Sequence, residues 1–330
     1  MDPILALAFG VVVPALVALA FVVVLRRPFA RTARGGETDL PAPWAAGFGL
    51  AAAYGIGVGL LLGWPDLPPV DVTLVAPWAA GVAAFLGLIR DGRVRGAASG
   101  VLGLGLGVFM TGPIEDMTLR VGLIAGVTAS MVALERGLAR LSERLDPRGA
   151  ALSQIVLVSG AALAVLFSDT ASLAQATGGL AAGLGALFTL GLLWPRAAVL
   201  TRAAPAVAAI LVTNLWGTTL FANGHPAVLA ALTLAPLLVS FIPPLAASRR
   251  AILRIAVPAA LIGIPIAAAG AFAGLRYFAT EDASASEHAT GPTDPTSPSA
   301  ATPATPSGTP TTSGTPTTPG TSGYDPGYGY

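Results

Sequence analysis

Residues 46–65 read AGFGLAAAYGIGVGLLLGWP, an apolar run without a charged side chain. As a helix, a run of this length spans the hydrocarbon core of a bilayer, which is about 30 Å thick. Glycine is tolerated in such a helix because no water competes for the backbone groups. The run therefore predicts a transmembrane helix and decides the fold class.

The rest of the chain follows the same pattern. Of 330 residues, 54% are apolar and 11% are charged, and the mean hydropathy is +0.74; a soluble domain carries about 25% charged residues. We predict an all-α polytopic membrane bundle of about ten helices within a transmembrane domain over 1–275. The predicted spans are 4–25, 44–63, 73–89, 96–112, 118–134, 151–167, 172–194, 205–222, 226–243 and 252–274.

The arginines give an orientation to these spans. The chain has no lysine, and sixteen of its eighteen arginines fall in the odd-numbered loops; Arg120 and Arg276 are the exceptions. Short cytoplasmic loops are rich in basic residues. We therefore expect cytoplasmic odd loops, extracytoplasmic N- and C-termini, and a multi-pass location in the plasma or inner cell membrane.

An internal repeat is suggested by two segments. Residues 46–65 align without gaps on 176–195, with ten of twenty positions identical, including Trp64-Pro65 and Trp194-Pro195. Because five helices is an odd number, a second copy of a five-helix unit would be inverted in the membrane. A 5+5 inverted-topology repeat is a plan that many secondary transporters use.

Small residues recur four apart on several predicted helices, a spacing that lets two helix backbones approach closely. The pattern favours helix packing within the chain, and the alternative is a homo-oligomer or partner-subunit seam. The predicted helix-packing residues are Gly47, Ala51, Gly55, Gly59, Gly63, Gly103, Gly107, Gly179 and Gly183.

The fifth loop has an amphipathic pattern. One helical stripe carries Leu134, Leu138, Leu141 and Leu145, and another carries Arg136, Arg140 and Arg144. We interpret it as a helix on the membrane surface that links the two halves, and the alternative is a helix that binds a partner.

Few residues in the spans carry chemistry. No ionisable group lies near the middle of a predicted span: Asp169 sits at an outer end, and Arg90 and Glu135 sit at inner ends. Intramembrane ionisable groups usually mark coupling sites, so their absence from the span centres argues against a carboxylate-driven one. There is no cysteine, and the two histidines lack a second ligand at metal spacing. We therefore expect no catalytic residues, no metal, no cofactor and no enzymatic activity.

The most polar feature in a span is TNLWGTT, residues 213–219. Asn214 lies near the middle of the eighth segment and shares a helix face with Thr218. A buried amide needs partners in hydrocarbon. It either bonds to a neighbouring helix or lines a polar cavity; in the second case Asn214, Thr218 and Trp216 are the candidate substrate-binding residues.

Residues 276–330 form a distinct tail, dominated from Glu281 onward by Thr, Pro, Ser, Gly and Ala. Such a composition cannot build a core, so we predict a disordered extracytoplasmic extension.

Two functions remain open. The first is a transporter or permease for a small, weakly polar solute, suggested by the repeat and by Asn214. The second is a non-catalytic subunit or scaffold of a membrane complex, suggested by the glycine pattern. Both have the lipid bilayer as partner, and neither involves nucleic acid.

Overall fold

The computed structural model describes residues 8–30, 44–62, 72–168, 170–193, 200, 202–238 and 251–289. These residues form α-helices and no strand, and the first described element is a π-helical turn over Ala8–Val12. Each predicted span overlaps one helix. The helices are α1 (Val13–Ala30), α2 (Ala45–Leu62), α3 (Val72–Leu86), α4 (Gly92–Met110), α5 (Met117–Arg144), α6 (Pro147–Leu166), α7 (Ala171–Leu193), α8 (Ala204–Phe221), α9 (Pro226–Leu238) and α10 (Ala251–Ala289).

Six of these helices are long and apolar enough to cross a membrane: α2, α5, α6, α7, α8 and the Val257–Ala279 part of α10. Three shorter apolar helices accompany them, over Ala8–Val24, Val75–Leu86 and Pro226–Leu238. The all-helical membrane fold is therefore confirmed as a multi-pass architecture. The ten-span count and the orientation stay predictions.

Helix α8 is the centre of the bundle. Fourteen of its eighteen residues are buried, and it packs against every helix from α2 to α7 and against α9. A helix that is apolar on all sides has no face to offer to water and is stable only when surrounded. These seven helices therefore form a shell around α8.

The outside of the shell is apolar. Val101, Leu193 and Leu275 each expose more than 70% of their surface, and Met117 and Ile264 expose 69%. Large exposed apolar surfaces are rare in soluble monomers, whereas lipid tails solvate them well. The surface is thus suited to contact with the bilayer.

A close seam joins α4 and α5. A Cβ atom added to Gly103 would lie 2.8 Å from Met131 Cβ, and one added to Gly107 would lie 3.0 Å from Ile124 Cα. Ser99, one turn earlier on the same face, is fully buried. The spacing of small residues on α4 therefore serves contact within the chain.

The glycines of α2 and α7 also face neighbouring helices. A Cβ on Gly47 would approach Arg202 O, one on Gly55 would approach Pro77, one on Gly179 would approach Gly10 O, and one on Gly183 would approach Leu50. Ala51 and Gly59 are buried on α2, and Gly63 lies outside the described residues.

Helix α5 corrects the interpretation of the fifth loop. It runs without a break from Met117 to Arg144, so the leucine stripe is not a separate helix on the membrane surface. Leu134, Leu138 and Leu141 are fully buried, and α5 packs against α9 over this stretch, where Gly137 lies against Pro236. The apolar stripe extends the span because it has a protein partner there.

Three helices begin directly after an aspartate that ends the preceding loop. Asp91, Asp116 and Asp146 stand at the N-caps of α4, α5 and α6. The Asp91 carboxylate accepts from Arg93 N at 2.7 Å, and that of Asp116 accepts from Thr118 N at 2.8 Å. These contacts satisfy backbone donors that a helix leaves unpaired at its start, so the three acids have a structural role.

The seam between α4 and α5 gives a first prediction. Gly103→Ala should lower the free energy of unfolding by about 1–3 kcal/mol, because the new methyl group overpacks the contact with Met131. Gly105→Ala is the matched control, since a Cβ there meets no atom within 4 Å. Reversible unfolding of the two variants in detergent micelles measures both effects. Equal stability of the two variants would show that the seam is not tight.

Candidate functional site

Asn214 lies at the centre of a buried hydrogen-bond network that joins three helices. The Tyr54 hydroxyl on α2 donates to Asn214 Oδ1 at 2.9 Å, and Asn214 Nδ2 donates to Thr177 Oγ1 on α7 at 2.8 Å. Thr177 in turn donates to Leu173 O. Asn214 is 1% exposed. The amide thus bonds to neighbouring helices in this conformation and does not line the cavity described below.

Trp216 points to another side of α8. Its indole Nε1–H donates to Ser130 Oγ at 3.1 Å. A Cβ added to Gly126 would lie 2.7 Å from the indole ring, so the glycine leaves room for the ring. Trp216 therefore connects α8 to α5, whereas the partners of Asn214 lie on α2 and α7.

Thr218 differs from the other two predicted residues because it lines a cavity. The cavity has a volume of about 410 Å³, and its walls come from the end of α6, the end of α8, the 222–225 turn, the start of α9 and α10. Leu215 also lines it, beside Asn214 in the sequence. Thr218 lies four residues after Asn214, which is about one helical turn or 5.4 Å along α8. The cavity wall therefore reaches to within one turn of Asn214 on this helix.

The cavity has a polar part and an apolar part. Arg276, Asn223 and His225 line it together with the hydroxyls of Ser168 and Thr219. Arg276 and Asn223 are exposed and mark the mouth. Apolar surface comes from Phe167, Leu215, Val228, Leu229 and the ring of Tyr277. Polar and apolar groups contribute similar shares of the lining, and a concave space that combines apolar walls with a few placed polar groups is a form that small-molecule sites take.

The hydroxyls of the cavity are bound to their own helices. Ser168 Oγ donates to Ala164 O at 2.9 Å, while Thr218 and Thr219 both donate to Leu215 O. Each oxygen keeps lone pairs after giving its proton to the backbone. These oxygens therefore present acceptors to the cavity.

At the opposite end of the bundle lies a buried ion pair. Helices α5 and α6 are joined by two residues, so the C-terminal end of α5 lies near the start of α6. The cavity lies near the other end of α6, and the C-terminal end of α5 is therefore at the opposite end of the bundle. There Arg95 Nε donates to Glu135 Oε1 at 2.7 Å, and the two side chains are 7% and 1% exposed. Removing two charges from water is costly and requires close pairing.

Sequence analysis missed this pair because it began the fourth span at residue 96. Helix α4 starts at Gly92, behind the Asp91 cap, so Arg95 is a buried helical residue and not a loop cation. It extends the small-residue face of α4 by one turn, since Arg95, Ser99, Gly103 and Gly107 are spaced four apart. The charges of Arg95 and Glu135 did not by themselves indicate that these two residues, forty positions apart, form an ion pair.

The cavity residues left a faint signal. Arg276 is one of two arginines that break the charge bias of the loops, and this break marked it as unusual.

No trio of histidine and carboxylate groups arranged for a metal occurs among the described residues. Comparisons with protein-family models, curated proteins and solved structures gave no match.

The Asn214 network gives a second prediction. Tyr54→Phe should cost about 1 kcal/mol of unfolding free energy, the usual scale of such bonds between membrane helices, because the amide oxygen loses its donor. The cost should fall when Asn214→Leu is already present, and a double-mutant cycle measures this coupling. Thr189→Val is the control, since that exposed hydroxyl bonds only to Gly185 O of its own helix. Additive losses would contradict the bond.

The ion pair gives a third prediction. Glu135→Gln should destabilise the fold by about 3–5 kcal/mol, because it leaves a buried guanidinium without its counter-charge. The double variant Arg95→Met with Glu135→Met should recover most of this loss. Glu143→Gln, on the exposed side of the same helix, should be neutral. Equal effects of the changes at 135 and 143 would show that Glu135 is not held in a buried pair.

Proposed function

We propose that this protein is a transporter or permease for a small solute, and that the solute enters the bundle through the cavity between α6, α8, α9 and α10. One observation carries the proposal: the cavity wall reaches Leu215 and Thr218 on the central helix, within one turn of Asn214. A solute in the cavity would therefore lie about one turn of α8 away from the enclosed Asn214, the amide that sequence analysis placed near mid-membrane.

The proposal includes ten spans with the cavity on the extracytoplasmic side. Ser168 and the 222–225 turn follow even-numbered crossings, which the arginine pattern assigns to the outside. The shorter apolar helices fit this count because α3 and α9 pack directly on α8. A short helix inside a bundle needs less apolar length of its own than an isolated span.

The 5+5 inverted repeat belongs to the same proposal. If the halves 1–134 and 151–274 are related by a pseudo-two-fold axis in the membrane, equivalent helices meet at that axis. Helix α2 packs against α7, and α3 packs against α8. Both are pairs of equivalent helices in the proposed repeat, which supports the idea independently of the identity between 46–65 and 176–195.

In this proposal the ion pair between Arg95 and Glu135 acts as a closed gate. The repeat relates α6, α8, α9 and α10 to α1, α3, α4 and α5, so the counterpart of the cavity lies at the opposite end of the bundle. Arg95 and Glu135 join two of these helices there. Behind them lies Ser99, whose hydroxyl is fully buried and has no hydrogen-bond partner. In alternating access, this end opens when the cavity closes.

The scaffold alternative also has support. Asn214 is enclosed and hydrogen-bonded on both sides of its amide, as in a permanently packed core. In that case the cavity would be a surface depression, and the opposite end would never open. The two functions therefore differ in whether water reaches Ser99.

A cysteine-accessibility experiment separates them and uses the absence of native cysteine. Thr219→Cys should react with a small, membrane-impermeant thiol reagent added to the cavity side, and Asn214→Cys should not. Ser99→Cys should react from the opposite side, slowly in the parent and several-fold faster with Glu135→Gln, because loss of the pair shifts the population toward the other state.

Glu143→Gln serves as the control for the rate at Ser99→Cys, and size-exclusion chromatography verifies the fold of each variant. Complete protection of Ser99→Cys in a folded Glu135→Gln protein would argue against the transporter and favour a scaffold, for which a co-purifying partner would then be sought.

A further inference from the structure

We infer that the cavity binds a small organic anion: a carboxylate or phosphate group at its mouth, attached to an apolar body. The inference rests on the proposed function in that it assigns a substrate class to the same cavity. It differs from the weakly polar solute that the sequence suggested, because the groups that meet in the cavity come from parts of the chain that sequence analysis kept apart.

The charge at the mouth is positive. Among the described residues that line the cavity, Arg276 carries the only full charge. A guanidinium has five N–H donors in a planar fork that fits a carboxylate or a phosphate. A partner within the protein therefore does not use up its capacity to bind an anion.

His225 adds a second donor to the lining of the same cavity. Its Nδ1 accepts a hydrogen bond from Ala227 N at 3.1 Å, so the neutral ring carries its proton on Nε2. The ring is held in place by an edge-to-face contact with Phe272, with 5.0 Å between the centroids. The fixed tautomer leaves Nε2–H as the group that His225 can offer to a ligand.

The interior of the cavity suits an apolar body. Phe167, Leu215, Val228 and Leu229 contribute apolar walls, while the hydroxyls of Thr218 and Thr219 have donated their protons to the backbone. These hydroxyls do not compete with the mouth as anion donors. Arg276 and His225 therefore remain as donors for an anion, and a volume of about 410 Å³ holds a small molecule.

Asp169 follows Ser168 and lies outside the described residues, so the experiment must include it. A carboxylate near Arg276 would weaken anion binding. We therefore expect Asp169→Asn to leave the preference for anions unchanged or to increase it.

Three isosteric probes test the inference: phenylacetate, phenylacetamide and phenethylammonium. They share a phenyl body and differ in the charge of the polar end. The full-length protein in phosphatidylcholine nanodiscs is titrated with each probe by calorimetry. We expect phenylacetate to bind at least tenfold more tightly than the other two. Arg276→Gln should remove about tenfold of that affinity, the lower range for hydrogen bonds to a charged group.

Arg120→Gln is the matched control, since Arg120 is the other arginine that breaks the charge bias and does not line the cavity. Equal binding of the three probes, or equal affinity of Arg276→Gln and Arg120→Gln for phenylacetate, would overturn the anion assignment while leaving a solute-binding cavity in place. Binding of none of the probes would also overturn it, whereas the accessibility of Ser99→Cys tests transport separately.

The source of the anion is settled by one further arm. The phenylacetate titration is repeated in nanodiscs that contain phosphatidylglycerol and, separately, with inorganic phosphate added. Loss of affinity only with phosphatidylglycerol would assign the site to a lipid headgroup. Unchanged affinity with phosphatidylglycerol would assign it to a free solute.

Discussion

The fold depends on one constraint: a polar group inside a bilayer must find its partner within the protein. The amide of Asn214 meets this requirement by bonding to Tyr54 on α2 and to Thr177 on α7. Trp216 does the same toward α5 through Ser130. Each bond fixes the rotation of α8 against one neighbour, and together they leave the central helix with a single orientation. Apolar packing alone specifies less, because lipid tails are as apolar as leucine.

The close packing and the cavity have the same origin. Glycines bring α4 to α5 and α7 to the N-terminal helices, so these helices approach one another closely. Around the end of α8, by contrast, the neighbours are large side chains such as Phe167 and Tyr277 and a turn at 222–225. Large side chains hold helices apart, and the space between them stays open. Side-chain size thus differs between these close contacts and the lining of the cavity, although Gly270 and Gly274 of α10 also lie against Leu163 and Phe167 at the cavity end.

How far the sequence predicted the structure varies with the kind of interaction. Apolar runs found the helices, because hydropathy accumulates over a whole span and errors at the ends matter little. The predicted boundaries were less accurate. Helix α4 starts four residues before the predicted span 96–112, directly after the Asp91 cap, and α5 continues beyond the predicted span 118–134 because Leu134 and Leu138 have a protein partner. Asn214 stood out as a polar residue in a span, but its partners lie 160 and 37 residues away, a separation that no local pattern encodes. The cavity combines Ser168, His225 and Arg276 from three parts of the chain, and only the fold brings them together.

The length of α5 has a consequence for the surrounding lipid. Its 28 residues make a rod of about 42 Å, which exceeds the hydrocarbon thickness of about 30 Å. The excess carries Arg136, Arg140 and Arg144, which are exposed on the side away from its buried leucines. Because the opposite face of this segment is packed against α9, the helix cannot tilt freely to hide its surplus length. A change in membrane thickness or in headgroup charge would therefore strain α5 in this segment. The ion pair that joins α5 to α4 lies next to the same segment.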